Sequence, residues 1–254
     1  MLKSNTDKEW EKYGKDDPYF GVISHDKFRK NNLTNENKRE FFESGSNHIN
    51  YILGNIRRHI DSDFMIKKAL DFGCGVGRIV IPLANEAQEV TGIDVSGSML
   101  NEAKRNCEER SIENISFIKS DDSLSSLTGK YNFIHSFIVF QHIPVTRGEY
   151  IFDKLVSHLE DDGVCVVHFT YAKTHAIIKT IGYFIRKVIP LSYNFFNLLK
   201  GRKFFSPQMQ MNSYDVNRLF LIIQNANVFD CYTEFTNHGG ELGIVIYFKK
   251  TKMT

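Results

Sequence analysis

A glycine-rich loop with an acidic residue on either side is the part of the sequence best suited to chemistry. Residues 71–78, DFGCGVGR, directly follow a short apolar run and open an amphipathic one, the pattern of a strand, a turn and a helix. Glycines at such a turn bring backbone N–H groups and the positive end of the helix against a ligand. Asp94 ends the next apolar run, where a carboxylate can accept hydrogen bonds from both hydroxyls of a ribose. The loop therefore predicts a ligand that contains a nucleoside.

The spacing within this loop distinguishes between two classes of cofactor. A dinucleotide-binding loop follows G-x-G-x-x-G, which requires a glycine at position 78, but Arg78 stands there and the third glycine is Gly77. The acid before the loop, Asp71, would repel a pyrophosphate but suits the α-ammonium group of a methionine moiety. These two departures favour S-adenosylmethionine over NAD. An NAD-dependent enzyme stays an alternative only if Arg78 can replace the usual glycine.

On these residues the chain resembles the class I S-adenosylmethionine-dependent methyltransferases, over about residues 69–169 and again in the closing helix and hairpin. The resemblance implies a doubly wound, Rossmann-like α/β fold with a seven-stranded, mostly parallel sheet, helices on both faces and an antiparallel last strand. It also implies that S-adenosylmethionine binds and leaves as S-adenosylhomocysteine. The resemblance implies that Gly73, Cys74, Gly75 and Gly77 line the methionine end of the cofactor, with Asp71 and Phe137 near that end. Asp94 would lie at the ribose. Val95 and Met99 would lie beside the adenine, and Asp121 and Asp122 near the adenine amino group. For Asp121 and Asp122, turn chemistry or a helix cap is an equal alternative.

Three polar residues are candidates for the methyl-acceptor side. Methyl transfer is an in-line displacement, so an enzyme mainly aligns the nucleophile and excludes water, and a hydroxyl acceptor also benefits from a base. His142 and His238 are the candidate bases, and Gln141 is a candidate for orienting an acceptor hydroxyl. A packing or capping role for His142 and a polar hairpin turn for His238 stay open as alternatives. No Asn- or Asp-Pro-Pro-aromatic motif follows the fourth predicted strand, which argues against exocyclic DNA amines as methyl acceptors. No set of magnesium ligands is spaced near the acceptor side, so no metal is predicted.

The first 60 residues are polar but carry several aromatic side chains, and the apolar positions from 40 to 59 have helical periodicity. We predict an N-terminal helical lid over residues 1–60. Tyr19, Phe20 and Arg29 are its candidate contacts to the cofactor or substrate. The alternative is that the two aromatic residues anchor the segment to the core.

A basic, aromatic-rich segment separates the fifth predicted strand from the last helix. Residues 171–205 contain seven lysines or arginines and no Asp or Glu. We interpret residues 171–212 as an insertion that caps the acceptor side, and its charge favours an anionic acceptor such as a sugar nucleotide, a phosphorylated glycan or a lipid-linked intermediate. Peripheral contact with anionic lipid, stacking on RNA and a simple helical cover stay open.

Short apolar runs that alternate with amphipathic stretches predict the elements that position these residues. We predict a cofactor-binding core over residues 61–170, completed by a helix and a β-hairpin over residues 213–254. The predicted strands cover residues 69–72, 89–94, 115–119, 133–137, 164–169, 229–235 and 242–248, and the predicted helices cover residues 78–85, 98–110, 150–159 and 214–226.

The bulk composition excludes several classes of protein. The 254 residues carry a formal charge of +2, which makes nucleic acid an unlikely partner for the chain as a whole. No run approaches the ~20 apolar residues of a membrane span, and the polar N-terminus lacks a signal-peptide pattern, so a cytoplasmic location is the expectation. Four widely spaced cysteines suggest neither a zinc site nor a disulfide framework.

The sequence therefore predicts an S-adenosylmethionine-dependent methyltransferase that acts on a small-molecule or carbohydrate-like acceptor, by O-methylation, in surface-polysaccharide or secondary metabolism. The alternatives are an RNA or protein methyltransferase and a non-catalytic S-adenosylmethionine-binding module. The intact glycines and both acids argue against the non-catalytic alternative. The oligomeric state stays open.

Overall fold

Seven strands form one sheet with the order β3-β2-β1-β4-β5-β7-β6 in the computed structural model, which describes residues 6–174 and 209–252. Strands β1 to β5 run parallel, and β7 is antiparallel to both β5 and β6. The strands are β1 (Lys68–Phe72), β2 (Glu89–Asp94), β3 (Ile115–Lys119), β4 (Tyr131–Ser136), β5 (Leu159–Lys173), β6 (Cys231–His238) and β7 (Glu241–Lys249). The predicted fold class is confirmed.

The chain order reverses between β1 and β4. From β1 the chain steps outward to β2 and β3, then returns to the other side of β1 as β4. In open α/β sheets a ligand binds outside the carboxyl ends of the strands at such a switch point. The glycine loop after β1 and the segment after β4 therefore meet at one edge of the sheet.

Helices cover both faces of the sheet. The described helices are α1 (Thr6–Asp16), α2 (Pro18–Val22), α3 (Asn35–His59), α4 (Val80–Glu86), α5 (Gly97–Glu108), α6 (Val145–Ser157) and α7 (Val216–Asn225). Neighbouring residues of a strand point to opposite faces, so Leu70 packs toward α6 and α7 while Ala69 packs toward α3 and α4. Because both faces are buried, the strands read as nearly continuous apolar runs.

The element bounds differ from the prediction where capping or pairing decides them. Helix α3 begins at Asn35 rather than near residue 40, because the Thr34 hydroxyl accepts a hydrogen bond from the Asn37 N–H and caps the first turn. Strand β5 runs from Leu159 to Lys173, because antiparallel pairing with β7 continues to Lys173. Residues 171–173 thus extend this strand, and most of the predicted insertion, residues 175–208, lies outside the described residues.

Among residues 6–174 and 209–252, none of the helices combines the length and apolarity needed to cross a membrane.

Candidate functional site

A cavity of about 720 Å³ lies at the carboxyl ends of β1, β2 and β4. Its walls come from the glycine loop, the segment after β4, the N-terminal helices and the chain just before α7. The predicted site residues that line it are Asp71, Gly73, Cys74, Gly75, Asp94, Val95, Met99, Phe137, Gln141, His142 and His238. Residues far apart in sequence thus converge on one space large enough for a nucleoside cofactor and a small second ligand.

The glycine loop is shaped by backbone conformations that other residues rarely adopt. Gly73 has φ +78°, and a Cβ atom there would lie 2.4 Å from Val139 Cγ2. Gly75 has φ +53°, and its Cβ would lie 2.6 Å from Val22 Cγ2. The Gly73 N–H donates to the Ile93 carbonyl at 2.8 Å, which ties the loop to β2. The loop thus lies close against the segment after β4 and against α2, and a side chain at either position would intrude.

Gly77 does not line the cavity, unlike the other two glycines. Its φ is +93°, and a Cβ there would make ordinary 3.5 Å contacts with Val80, Ile81 and Ala103. In this structure Gly77 forms a turn at the entry to α4, and its contact with the methionine end stays a prediction.

Asp94 is held by the two loops that flank it. Its Oδ2 accepts from the Gly75 N–H and its Oδ1 from the Ser96 N–H, both at 2.9 Å. Burial raises the pKa of Asp94 to about 6, although these two hydrogen bonds act in the opposite direction. The carboxylate therefore joins the glycine loop to the start of α5, beside Val95 and Met99, at the place predicted for a ribose.

Asp71 lies in a row of buried polar groups that motif reasoning missed. Its Oδ1 is 2.8 Å from His135 Nδ1 on β4, and His135 Nε2 is 3.0 Å from His48 Nε2 on α3. Burial lowers the pKa of His48 to about 2, and the neighbouring His135 acts in the same direction. The signal in the sequence was the histidine on β4 that lies directly opposite Asp71, and this pairing becomes visible only once β1 and β4 are aligned.

Arg78 is a second cavity residue whose role the motif did not reveal. Its Nε is buried and has no hydrogen-bond partner among the described residues. Burial lowers the pKa of the guanidinium, whereas the nearby Asp71 raises it. The site therefore carries a cation next to an acid at the methionine end, which fits the two charges of an α-amino acid.

Two predicted adenine contacts do not reach the cavity. Asp121 accepts hydrogen bonds from the Ser123 hydroxyl and the Ser125 N–H, both at 3.0 Å, and Asp122 accepts from Arg147 Nε at 2.7 Å. The alternative of turn chemistry thus describes Asp121 in this structure. Ser120 is the residue of this loop that lines the cavity.

The N-terminal segment covers the cavity, but with other residues than those predicted. Tyr19 is only 4% exposed, packs against Phe41, and its hydroxyl donates to Glu102 at 2.8 Å. Phe20 is buried beneath Arg29, whose guanidinium carbon lies 3.6 Å from the ring centroid. All three residues therefore anchor the segment and do not line the cavity. The N-terminal residues that do line it are Thr6, Asp7, Trp10, Gly21, Val22, Ile23 and Ser24.

Helix α1 is fixed over the cavity at two points. The Glu11 carboxylate accepts hydrogen bonds from the Ser96 hydroxyl at 2.8 Å and the Ser98 hydroxyl at 2.7 Å. Arg147 pairs with Asp7 at 2.7 Å. Between these points Trp10 lies edge-on to the His142 ring, with centroids 5.0 Å apart. The helix thus connects the ribose side of the site to the segment after β4.

His142 and Gln141 stand in a defined hydrogen-bond network. His142 Nδ1 lies 2.7 Å from the Gln210 carbonyl and therefore carries the proton, while its Nε2 lies 3.2 Å from the Gln141 amide nitrogen. Gln141 Oε1 accepts from the Thr170 hydroxyl at 2.7 Å. Burial lowers the pKa of His142 to about 4, so the ring is neutral at physiological pH. Its Nε2 lone pair accepts a hydrogen bond from the Gln141 amide.

His238 approaches the cavity from the β6–β7 hairpin. Its ring lies 5.9 Å from the Phe137 ring and 5.4 Å from the His168 ring, and burial lowers its pKa.

Among the described residues, no cluster of three or more His, Cys, Asp or Glu could hold a metal ion.

The sequence of the core and the fold lead to one class of protein. Residues 69–163 match the family profile described as "Methyltransferase domain". With the glycine loop, the two acids and the seven-stranded sheet, this match identifies residues 69–163 as a methyltransferase domain.

Individual proteins with similar sequences or folds agree with that class. Magnesium protoporphyrin IX methyltransferase, chloroplastic, from Arabidopsis thaliana is 34% identical over 116 residues, which are 44% of this chain and 36% of that protein. Ubiquinone biosynthesis O-methyltransferase from Acinetobacter baylyi is 30% identical over 80 residues, 31% of this chain and 34% of that protein. The alignments thus span about a third of the length of these two relatives. The crystal structure of magnesium protoporphyrin IX methyltransferase from Synechocystis PCC 6803 with bound SAH has a TM-score of 0.60 at 18% identity and covers 91% of this chain and 99% of that chain.

Proposed function

We propose that this chain transfers the methyl group of S-adenosylmethionine to a hydroxyl group of a small-molecule or carbohydrate-like acceptor. The observation that carries the proposal is a single cavity lined by Asp71, Arg78 and Asp94, which we call the charged wall, and also by the neutral imidazole of His142. The charged wall suits the cofactor, and the imidazole suits the proton of an acceptor hydroxyl.

The donors and acceptors of the charged wall fit the cofactor group by group. Asp71 would hold the α-ammonium group, and the guanidinium of Arg78, which lines the same cavity, would hold the α-carboxylate. Asp94 would bind the ribose hydroxyls, and Val95 and Met99 would flank the adenine. When bound, S-adenosylmethionine supplies an electrophilic methyl group on a sulfonium sulfur. Contact of the adenine with Asp121 or Asp122 stays a prediction.

The acceptor wall would exclude water and accept a proton. Trp10, Phe137, Met209 and Met211 line the cavity around His142, and apolar walls of this kind shield a displacement from competing water. The Gln210 carbonyl fixes His142 in the tautomer that keeps the lone pair on Nε2. In the structure this lone pair faces the Gln141 amide nitrogen at 3.2 Å, and an acceptor hydroxyl would replace that amide as its partner. Gln141, anchored by Thr170, would orient the acceptor hydroxyl toward that lone pair.

One further consideration supports the acceptor class. The names of both curated relatives above refer to small-molecule metabolism, and one is an O-methyltransferase by name. The anionic, including phosphorylated, character of the acceptor rests on basic residues that fall mostly within residues 175–208, outside the described part of the chain. It stays a prediction, as do peripheral membrane contact and the alternative of an RNA or protein acceptor.

The test measures binding and turnover separately. We expect calorimetry to detect S-adenosylhomocysteine binding, and release of S-adenosylhomocysteine with a panel of phenols, sugars and sugar nucleotides. His142→Gln should lower kcat by about 10²–10⁴-fold, the range of a general base, with unchanged affinity for S-adenosylhomocysteine. His238→Gln is the matched control on the opposite wall and should change kcat less.

Two results would contradict this proposal. Turnover confined to oligoribonucleotides or peptides would favour the macromolecular acceptors. Binding of the cofactor without turnover on any acceptor would favour the non-catalytic module.

A further inference from the structure

A row of three polar side chains extends from α3 through β4 to the acid at the end of β1. His48, His135 and Asp71 follow one another with contacts of 3.0 and 2.8 Å, and His135 and Asp71 are only 1% and 3% exposed. Asp71 and His135 both line the cavity. Buried polar groups in such a chain fix one another's orientation, because each ring or carboxylate has few other ways to satisfy its hydrogen bonds.

The direction of each hydrogen bond along this row follows from the carboxylate of Asp71 at its end. A carboxylate only accepts, so His135 Nδ1–H donates to Asp71 Oδ1. In the neutral ring Nε2 then carries a lone pair, and His48 Nε2–H is the donor that faces it. Asp71 Oδ2 forms no hydrogen bond within the described residues, so that oxygen remains for a ligand in the cavity.

Other charged groups near the row leave this arrangement in place. Arg78 lies on the cavity side of Asp71, where its charge acts on the same carboxylate. His168 lies on the far side of His48 and is hydrogen-bonded to Thr236 at 2.9 Å. Among these groups, the histidine row is the one that is hydrogen-bonded to Asp71, through His135.

We propose that His135, supported by His48, is a positioning residue for recognition of the cofactor's α-ammonium group, through the orientation that it imposes on Asp71. This inference rests on the proposed function, because it assumes that Asp71 meets that ammonium group. Partners behind a binding residue commonly set its orientation and affinity in this way.

The test compares ligands that differ only in the groups at the methionine end. The probes are S-adenosylhomocysteine, its decarboxylated analogue, which keeps the ammonium group, and 5′-methylthioadenosine, which lacks the amino-acid portion. His135→Phe should weaken the first two about tenfold to a hundredfold, the range for a hydrogen bond to a charged group, and leave 5′-methylthioadenosine unchanged. His135→Asn should restore affinity to within about threefold, since its amide N–H occupies the position of Nδ1–H.

Two further variants separate positioning from folding. His48→Phe should show the same selectivity with a smaller loss and stays informative if His135→Phe does not fold. His168→Phe, a buried histidine without contact to Asp71, is the matched control and should leave all three affinities unchanged. Equal weakening of all three probes, or no weakening by either variant, would overturn the inference alone. Failure of the wild-type protein to bind S-adenosylhomocysteine would overturn the proposed function as well.

Discussion

Acidification from about pH 8 to about pH 5 is expected to weaken S-adenosylhomocysteine binding about tenfold through Asp94. Its carboxylate is enclosed between the glycine loop and α5, and burial raises its pKa to about 6. At pH 5 the protonated form then outnumbers the ionised form by about ten to one, and a protonated carboxyl group accepts ribose hydrogen bonds poorly. The expected loss is therefore about 1.4 kcal/mol.

Few other groups of the site should titrate in this interval. Burial lowers the pKa of His48 to about 2 and that of His142 to about 4, so both rings stay neutral at pH 5. In calorimetric titrations at several pH values, the part of the pH dependence that Asp94→Asn removes should therefore have a midpoint near 6. Asp94→Asn should bind more weakly and without that midpoint.

The same shift has the opposite effect on the unliganded protein. Because the folded-state pKa of Asp94 lies above the unfolded value of 3.8, its contribution to the free energy of unfolding is fully present below about pH 4 and is lost as the pH rises through about 6. Acid should therefore favour this group's contribution to stability while it weakens ligand binding. A pH-independent affinity, or an identical pH profile in Asp94→Asn, would refute the reasoning.

Two further perturbations test the loop and the N-terminal helix. Gly73→Ala should destabilise the protein by about 1–2 kcal/mol from the left-handed backbone alone, and by more because the new Cβ would meet Val139. Urea denaturation measures this change in the free energy of unfolding. The control Gly54→Ala, in open space on α3, should stabilise the protein by a few tenths to about 1 kcal/mol. Equal changes in the free energy of unfolding for Gly73→Ala and Gly54→Ala would contradict the close packing of Val139 against Gly73. Glu11→Gln should weaken the charged hydrogen bonds to Ser98, so amide hydrogen exchange in α1 should rise and S-adenosylhomocysteine should dissociate faster, whereas unchanged exchange would show that these bonds do not hold the helix.

Local patterns predicted the part of the site that is built from neighbouring residues. The apolar runs of β1 and β2 and the spacing of the glycines are properties of one short segment, and they singled out Asp71 and Asp94, both of which line the cavity. The segment after β4 followed from its place behind an apolar run, and it brought Gln141 and His142 to the same space.

The rest of the site depends on contacts between distant residues, which no local pattern contains. His48 and His135 are 87 positions apart and meet only because α3 packs across β4. Tyr19 was predicted as a lid residue, but its ring is buried against Phe41 and its hydroxyl donates to Glu102. Asp121 was predicted either to contact the adenine or to stabilise its own turn, and in the structure it contacts the serines of that turn.

The chain on either side of residues 175–208 is joined at the edge of the site. Lys173 Nζ donates to the Met211 carbonyl at 2.9 Å, and the Asn212 N–H donates to the Gln141 carbonyl at 2.7 Å. Because these anchors already hold the two ends together, doubling the length of the intervening chain would add only about 0.6 kcal/mol of closure entropy. A change of length in that stretch should therefore cost little stability, and under the proposed function it would alter the acceptor side near Met209 and Met211 while the cofactor side of the cavity stays in place.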